Sequence, residues 1–240
     1  MVHCLEVGQI SNDDLTTIGT PLSTYINIAG EPVAIFKRQN ITETTQFVFI
    51  TKKGIVKKTD ASNYALKNSI VSITVKPDDE LIGVIAVDRE KDILVYTHFG
   101  FGLRFHTKEI PSTKRLAIGV TTFTLADNDY VVGVKEINSD DKYIFIATED
   151  GYVKKCGLEV LSPKKRRSEP VSLIPLNKKD GVFEVISCKD SDSIDVIMMK
   201  KGLYNIKVKD LKSSLKFETG ERLIPVNKTD NIVKIFKATK

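Results

Sequence analysis

The chain has 240 residues, 41% of them hydrophobic, with 36 Lys and Arg against 31 Asp and Glu and a formal net charge of +5. That composition can bury a sizeable core and excludes a disordered chain, and no apolar run approaches the ~20 residues needed to span a bilayer. The mild positive charge permits a polyanionic partner without requiring one, and three distant cysteines (Cys4, Cys156 and Cys188) with no CxxC pair argue for reduced thiols rather than a disulfide framework or zinc ribbon.

The chain opens on VHCLEVGQI (2–10), which lacks the basic start and apolar stretch of a signal peptide. TYINIAGEPVAIFKR (24–38) follows, reading as an apolar strand, a polar turn and a second strand. FVFITKKGIVKKTDASNY (47–64) is then a Val/Ile/Phe-rich run, a glycine turn, and a run in which apolar and basic residues alternate. VSITVKPDDELIGVIAV (71–87) repeats the strand–turn–strand pattern of 24–38. From there the two patterns take turns: ILVYTHFGFGLRFHTKEI (93–110), TTFTLADNDYVVGVKEI (121–137), YIFIATEDGYVKKCGLEV (143–160), VSLIPLNKKDGVFEVIS (171–187), DVIMMKKGLYNIKVKDLK (195–212) and LIPVNKTDNIVKIFKA (223–238).

Gly54, Gly100, Gly151 and Gly202 mark the first pattern at spacings of 46, 51 and 51 residues. Glycine suits a hairpin turn that needs a positive φ. Four strands in about 48 residues is the unit of a propeller blade. The sequence therefore predicts an all-β, propeller-like domain over 1–240 of about five four-stranded blades, with repeats near 1–41, 46–91, 92–141, 142–190 and 193–240. No segment of helical length shows a 3.6-residue period. VHCLEVGQI matches YVKKCGLEVL (152–161), the strand after a glycine turn, so the first blade is expected to be truncated and the chain to come from a longer polypeptide. A degenerate first repeat is the alternative.

FITKKGIVKK (49–58) and FIATEDGYVKK (145–155), with GVTTFTLADNDYVVGV (119–134) as the later strands, resemble the repeat of the C-terminal domain of the bacterial type IIA topoisomerase A subunits, those of DNA gyrase and topoisomerase IV. The resemblance covers nearly the whole chain. It implies a β-pinwheel, a disc of blades that exchange strands with their neighbours, closed or open as a ring. It further implies binding and bending of duplex DNA around a basic rim, to present a DNA segment for strand passage. The catalytic core of the same polypeptide and the ATPase (B) subunit become the implied partners, with no membrane, a monomeric isolated domain and a bacterial cytoplasmic setting at the nucleoid. The gyrase box Q-R-R-G-G-K-G is absent. STKRLAIG (112–119) is its nearest remnant, with Lys114, Arg115 and Gly119 in place, so the topoisomerase IV member of the family fits better than the gyrase one.

Duplex DNA needs many cations on one continuous surface. Lys52, Lys53, Lys57 and Lys58 surround the first glycine turn, and Arg104 and Lys108 occupy the next unit. Lys154 and Lys155 follow the third glycine, while Lys200, Lys201 and Lys207 surround the fourth. Between blades lie Lys114 and Arg115, and the densest patch, Lys164, Lys165, Arg166 and Arg167. Residues recurring at a blade period should form a belt, contacting phosphates with little sequence preference. For any single lysine the simpler reading is a solvated turn or a guarded strand edge.

No catalytic constellation stands out. His3, His98 and His106 lack metal-ligand spacing, there is no Walker or G-x-S-x-G motif, and GFG (100–102) is a turn. None of the seven tyrosines follows an arginine, as the family's cleavage tyrosine does, so the domain is expected to be non-catalytic and to hold no cofactor, Mg2+ and ATP belonging to the rest of the enzyme. The acidic pairs Asp78–Asp79 and Asp140–Asp141 read as turn caps. Two further functions fit the repeat: a protein-binding β-propeller scaffold with an apolar patch and no salt dependence, and a propeller enzyme acting through a central channel.

Overall fold

The computed structural model describes residues 1–12, 19–27, 31–64, 70–88, 90–200, 202–215 and 217–238. Its strands are β1 (Thr45–Thr51), β2 (Ile55–Asp60), β3 (Leu81–Asp88), β4 (Asp92–Thr97), β5 (Phe101–His106), β6 (Val120–Thr121), β7 (Val131–Ile137) and β8 (Tyr143–Thr148). They continue with β9 (Tyr152–Gly157), β10 (Val171–Ser172), β11 (Val182–Cys188), β12 (Ser193–Met198), β13 (Gly202–Lys207), β14 (Glu221–Arg222) and β15 (Ile232–Lys237). Short 3-10 turns are the only helical elements among the described residues.

The strands build four antiparallel sheets, ordered β3-β1-β2-β6, β10-β5-β4-β7, β11-β8-β9-β14 and β13-β12-β15. In each of the first three, the strand beside the post-glycine strand comes from the next repeat. Val120 and Thr121 pair with Val56 and Ile55, Val171 with Gly102, and Glu221 with Val153. This is the strand exchange that the family resemblance implied. At the other edge, β7 lies between β3 and β11, and β15 lies against β11. Thus β3, β7, β11 and β15 face the axis, and the exchanged strands β6, β10 and β14 form the outer edge.

Each glycine hairpin turns through a positive φ, from +76 at Gly54 to +86 at Gly151, where a side chain would be strained. An aspartate side chain then clasps the turn. Asp79 accepts from Lys53 N, Asp129 from Phe99 N, Asp180 from Asp150 N and Asp230 from Lys200 N, all at 2.8–3.0 Å. Asp141 similarly accepts from Asn138 N at 2.9 Å. These carboxylates organise backbone, as their place in turns suggested.

Neighbouring sheets bury their faces against one another. Ile50 and Val56 meet Ile93 and Leu103; Leu94 and Tyr96 meet Ile144 and Val185; Phe145 and Val153 meet Ile194 and Val196. A fourth cluster, Phe47, Phe49, Ala61 and Tyr64 with Val2 and Ile41, covers the far side of the first sheet.

Two details go beyond the expected repeat. Among the described residues, four of the five repeats form sheets. Among the described residues of 1–44 no strand pairs as expected for 24–38, and Ile28, Ala29 and Gly30 lie outside the described residues. Yet Val2 exchanges N–H···O bonds with Ile70 at 2.8 and 2.9 Å, in the manner of Val56 with Val120, and Val7–Gln9 forms the 3-10 turn that follows each such strand. The resemblance of 2–10 to the post-glycine strand is thus visible in the backbone. Secondly, the fourth hairpin is displaced by one residue. Ala147 pairs with Val153, but its counterpart Ile197 pairs with Leu203, so aligning on the glycines offsets β13 by one.

Candidate nucleic-acid interface

Four of the cations expected at the rim are interior. Lys57 and Lys154 are 1% exposed, Lys58 and Lys155 5%. The exchanged strand lies beside the post-glycine strand in the sheet, and both side-chain faces of that strand are covered: the next blade meets Lys58 and Lys155, and the segments at Ser72 and Leu173 meet Lys57 and Lys154. Both directions along the strand's alternation are therefore occluded. A buried ammonium must find acceptors. Lys57 Nζ donates to Ser72 O at 2.8 Å and to Arg115 O, and Lys154 Nζ to Leu173 O at 2.9 Å. Burial, with Arg115 nearby, lowers the Lys57 pKa to about 8, and burial also lowers that of Lys154.

The fourth residue of each post-glycine strand has a distinct task. Lys58 Nζ donates to Thr107 O at 3.0 Å, Arg104 to Leu161 O at 3.4 Å, and Lys155 Nζ to Val208 O at 3.0 Å. Each acceptor belongs to the 3-10 turn of the next blade. Arg104 also pairs with Asp92 at 2.8 Å and Lys155 with Asp190 at 2.7 Å. These cations clasp consecutive blades. In the fourth sheet the same place holds Asn205, which turns to Asp195 at 2.6 Å instead.

The hairpin cations lie at strand ends, on one flat side of the disc rather than on its outer edge. Lys52 and Lys53 are exposed and paired, with Glu80 at 3.9 Å and with Asp78. Lys200 and Lys207 are exposed, and Lys201 lies outside the described residues. Lys108 is exposed in the 3-10 turn Thr107–Glu109.

The loops that deliver the exchanged strands do lie at the outer edge. Thr113 N, Lys164 N and Ser214 N each bond the preceding blade, at Lys58 O, Arg104 O and Lys155 O. Each loop then makes a turn closed by Ala117 N to Lys114 O, Ser168 N to Lys165 O, and Glu218 N to Leu215 O. Gly119 and Gly220 bring the chain back at positive φ, hard against the outer strand: a Cβ at Gly220 would sit 2.2 Å from Val153 O. Arg115 reaches the previous exchange segment at Val71 O (3.2 Å), and Arg166 repeats the contact at Thr121 O (2.6 Å), adding Glu109 O at 3.0 Å. These two arginines are half-buried ties that set the loops side by side along the circumference.

Lys114, Lys164, Lys165 and Arg167 remain exposed on that path. Lys164 Nζ donates to Glu169 O at 3.1 Å, and Arg167 overhangs a hollow lined by Thr121, Phe123 and Thr124. Lys212, exposed at the start of the next loop, joins them; the sequence reading missed it, although it belongs to the corresponding inter-blade segment. Such a set can neutralise a row of phosphates without reading bases.

Residues 45–88, 91–138 and 142–189, more than half of the chain, match the family described as DNA gyrase C-terminal domain, beta-propeller. The chain is 31% identical over 152 residues to the A subunit of DNA topoisomerase 4 from Staphylococcus epidermidis, covering 62% of this chain and 19% of the relative. It is 24% identical over its whole length to the A subunit of DNA gyrase from Helicobacter pylori, covering 30% of that protein. The chain thus spans less than a third of either relative. Among solved structures, the C-terminal domain of DNA topoisomerase IV superposes with a TM-score of 0.83 at 25% identity, covering 91% of this chain and 70% of the other. The DNA gyrase A C-terminal domain superposes with a TM-score of 0.82 at 19% identity, covering 91% and 74%.

Proposed function

Because the chain belongs to the DNA gyrase C-terminal domain, beta-propeller family, we propose that it binds duplex DNA along its outer edge and bends it, as the accessory domain of a type IIA topoisomerase. The observation that carries this reading is the run of tied loops whose exposed Lys114, Lys164, Lys165 and Arg167 follow the circumference. A curved row of cations favours a curved polyanion, and deformable steps accept that curvature at least cost.

The domain is read as non-catalytic and in need of no cofactor, Mg2+ and ATP acting elsewhere in the enzyme. Its partners are then the catalytic core of its own polypeptide and the ATPase (B) subunit, in the bacterial cytoplasm. Among the described residues no helix is long and apolar enough to cross a membrane. The loops carry no Q-R-R-G-G-K-G element, and on that ground the parent is read as a topoisomerase IV rather than a gyrase.

The test is fluorescence anisotropy with two unrelated random-sequence duplexes at low ionic strength. Similar affinity for both supports the proposal. Failure to bind either, or strong preference for one sequence, overturns it.

A further inference from the structure

The loop turns carry more than charge. Their third residues are Leu116, Arg167 and Phe217, one per successive blade at the same place in the turn. Leu116 is 61% exposed and Phe217 85%, and Leu215 at the start of the third turn is also exposed. Scattered surface apolar residues need no explanation. These differ in recurring at the third position of a turn whose loop is bonded to the preceding blade. Lys114 and Arg115 precede Leu116, and Lys212 opens the loop that carries Phe217. Glu218, the acidic group nearest Phe217 in the chain, turns its carboxylate onto Leu215 N at 2.8 Å.

An apolar side chain flanked by cations on a convex edge fits one partner chemistry well: the stacked bases of a duplex whose phosphates those cations hold. Leucine and phenylalanine are common wedges by which proteins part a base step and kink DNA. We propose that Leu116 and Phe217 are such wedges, each entering a base step, while Arg167 on the loop between them holds backbone. Curvature then comes from two localised kinks on either side of a phosphate clamp rather than from smooth bending. This inference rests on the DNA-binding reading and adds to it the residues that set the bend.

The chain contains no tryptophan, so Leu116→Trp and Phe217→Trp each install a single reporter. On titration with a random-sequence duplex, with binding followed separately by anisotropy, stacking between bases should quench both reporters and shield them from acrylamide. Met199→Trp, on an exposed hairpin turn of the flat side, should be unmoved. The double variant Leu116→Ala/Phe217→Ala should bring the ends of a doubly labelled duplex less close by energy transfer, with the salt slope of binding retained because every cation on the phosphates stays in place. Bound DNA with reporters 116 and 217 unquenched, or with reporter 199 quenched equally, overturns the wedge while leaving DNA binding intact, and points to a protein surface at the tips. Absence of any anisotropy change overturns the DNA-binding reading and the wedge with it.

Discussion

Replacing Lys155 by Met separates the structural lysines from the binding ones. Its ammonium donates to Val208 O at 3.0 Å and pairs with Asp190 at 2.7 Å, and it lies 4.2 Å from the Tyr143 ring centroid. Methionine keeps the stem's packing and removes the charge. The Val208 carbonyl keeps the bond from Leu211 N but loses its charged donor, a loss of about 1.5–3 kcal/mol. Asp190 is half-exposed and returns to water, so the ion pair adds at most ~1 kcal/mol. The ring interaction adds about 1 kcal/mol. A destabilisation near ~3 kcal/mol follows, or about 6–12 °C in Tm for a domain of this size. Urea titration and thermal melting measure it, and anisotropy well below the melting temperature measures binding. The expected result is a less stable protein with unchanged affinity for DNA. A stability within about 0.5 kcal/mol of the parent, the scale of an ordinary surface substitution, together with a large loss of affinity, would refute the clasp and return Lys155 to the surface.

Lys57→Leu should show a pH signature. Leu103 already fills the equivalent place in the second sheet, buried. With its folded pKa lowered to about 8, native Lys57 binds its proton less tightly than the unfolded chain does, so the parent gains stability relative to the leucine variant as pH rises from 8 to 10.5. The full change is ~3 kcal/mol, read from urea midpoints at several pH values; a pH-independent difference would contradict the burial of this ammonium. Asp180→Ala removes the acceptor for Asp150 N at 3.0 Å and Gly181 N at 2.8 Å. It should cost ~2–3 kcal/mol in chemical denaturation, with faster amide exchange centred on Asp150 and Gly181, and a neutral result would deny the aspartate clasp its role.

The architecture was legible because a glycine turn between two apolar runs recurs, and each run needs a partner strand. The exchange was not legible from periodicity. Val120 and Thr121 form only a two-residue strand, and nothing in so short a segment reveals that it pairs with Val56 and Ile55 of another repeat. That gap explains the misplacement of Lys57, Lys58, Lys154 and Lys155. Lysine is seldom fully buried, and a strand alternating apolar and basic residues reads as half-solvated. Here both faces of the strand are covered, and backbone carbonyls supply the acceptors, in 3-10 turns for Lys58 and Lys155 and at Ser72 and Leu173 for Lys57 and Lys154. The inter-blade cations were legible as a cluster, but sequence could not divide Arg115 and Arg166, which tie loops together, from Lys114, Lys165 and Arg167, which remain outside. Leu116 and Phe217 gave no signal, since one apolar residue in a polar loop has no periodicity to betray it.

The central claim is that the exposed loop cations, and not the clasping ones, hold DNA. The salt dependence of affinity tests it directly, because its slope falls by ~0.9 for each phosphate that is no longer neutralised. For Lys114→Gln/Lys164→Gln/Lys165→Gln/Arg167→Gln the slope of log K against log salt should shrink by about 2–4, while Lys155→Met keeps the parent slope. An unchanged slope in the loop variant, or an equal loss in Lys155→Met, would contradict the account.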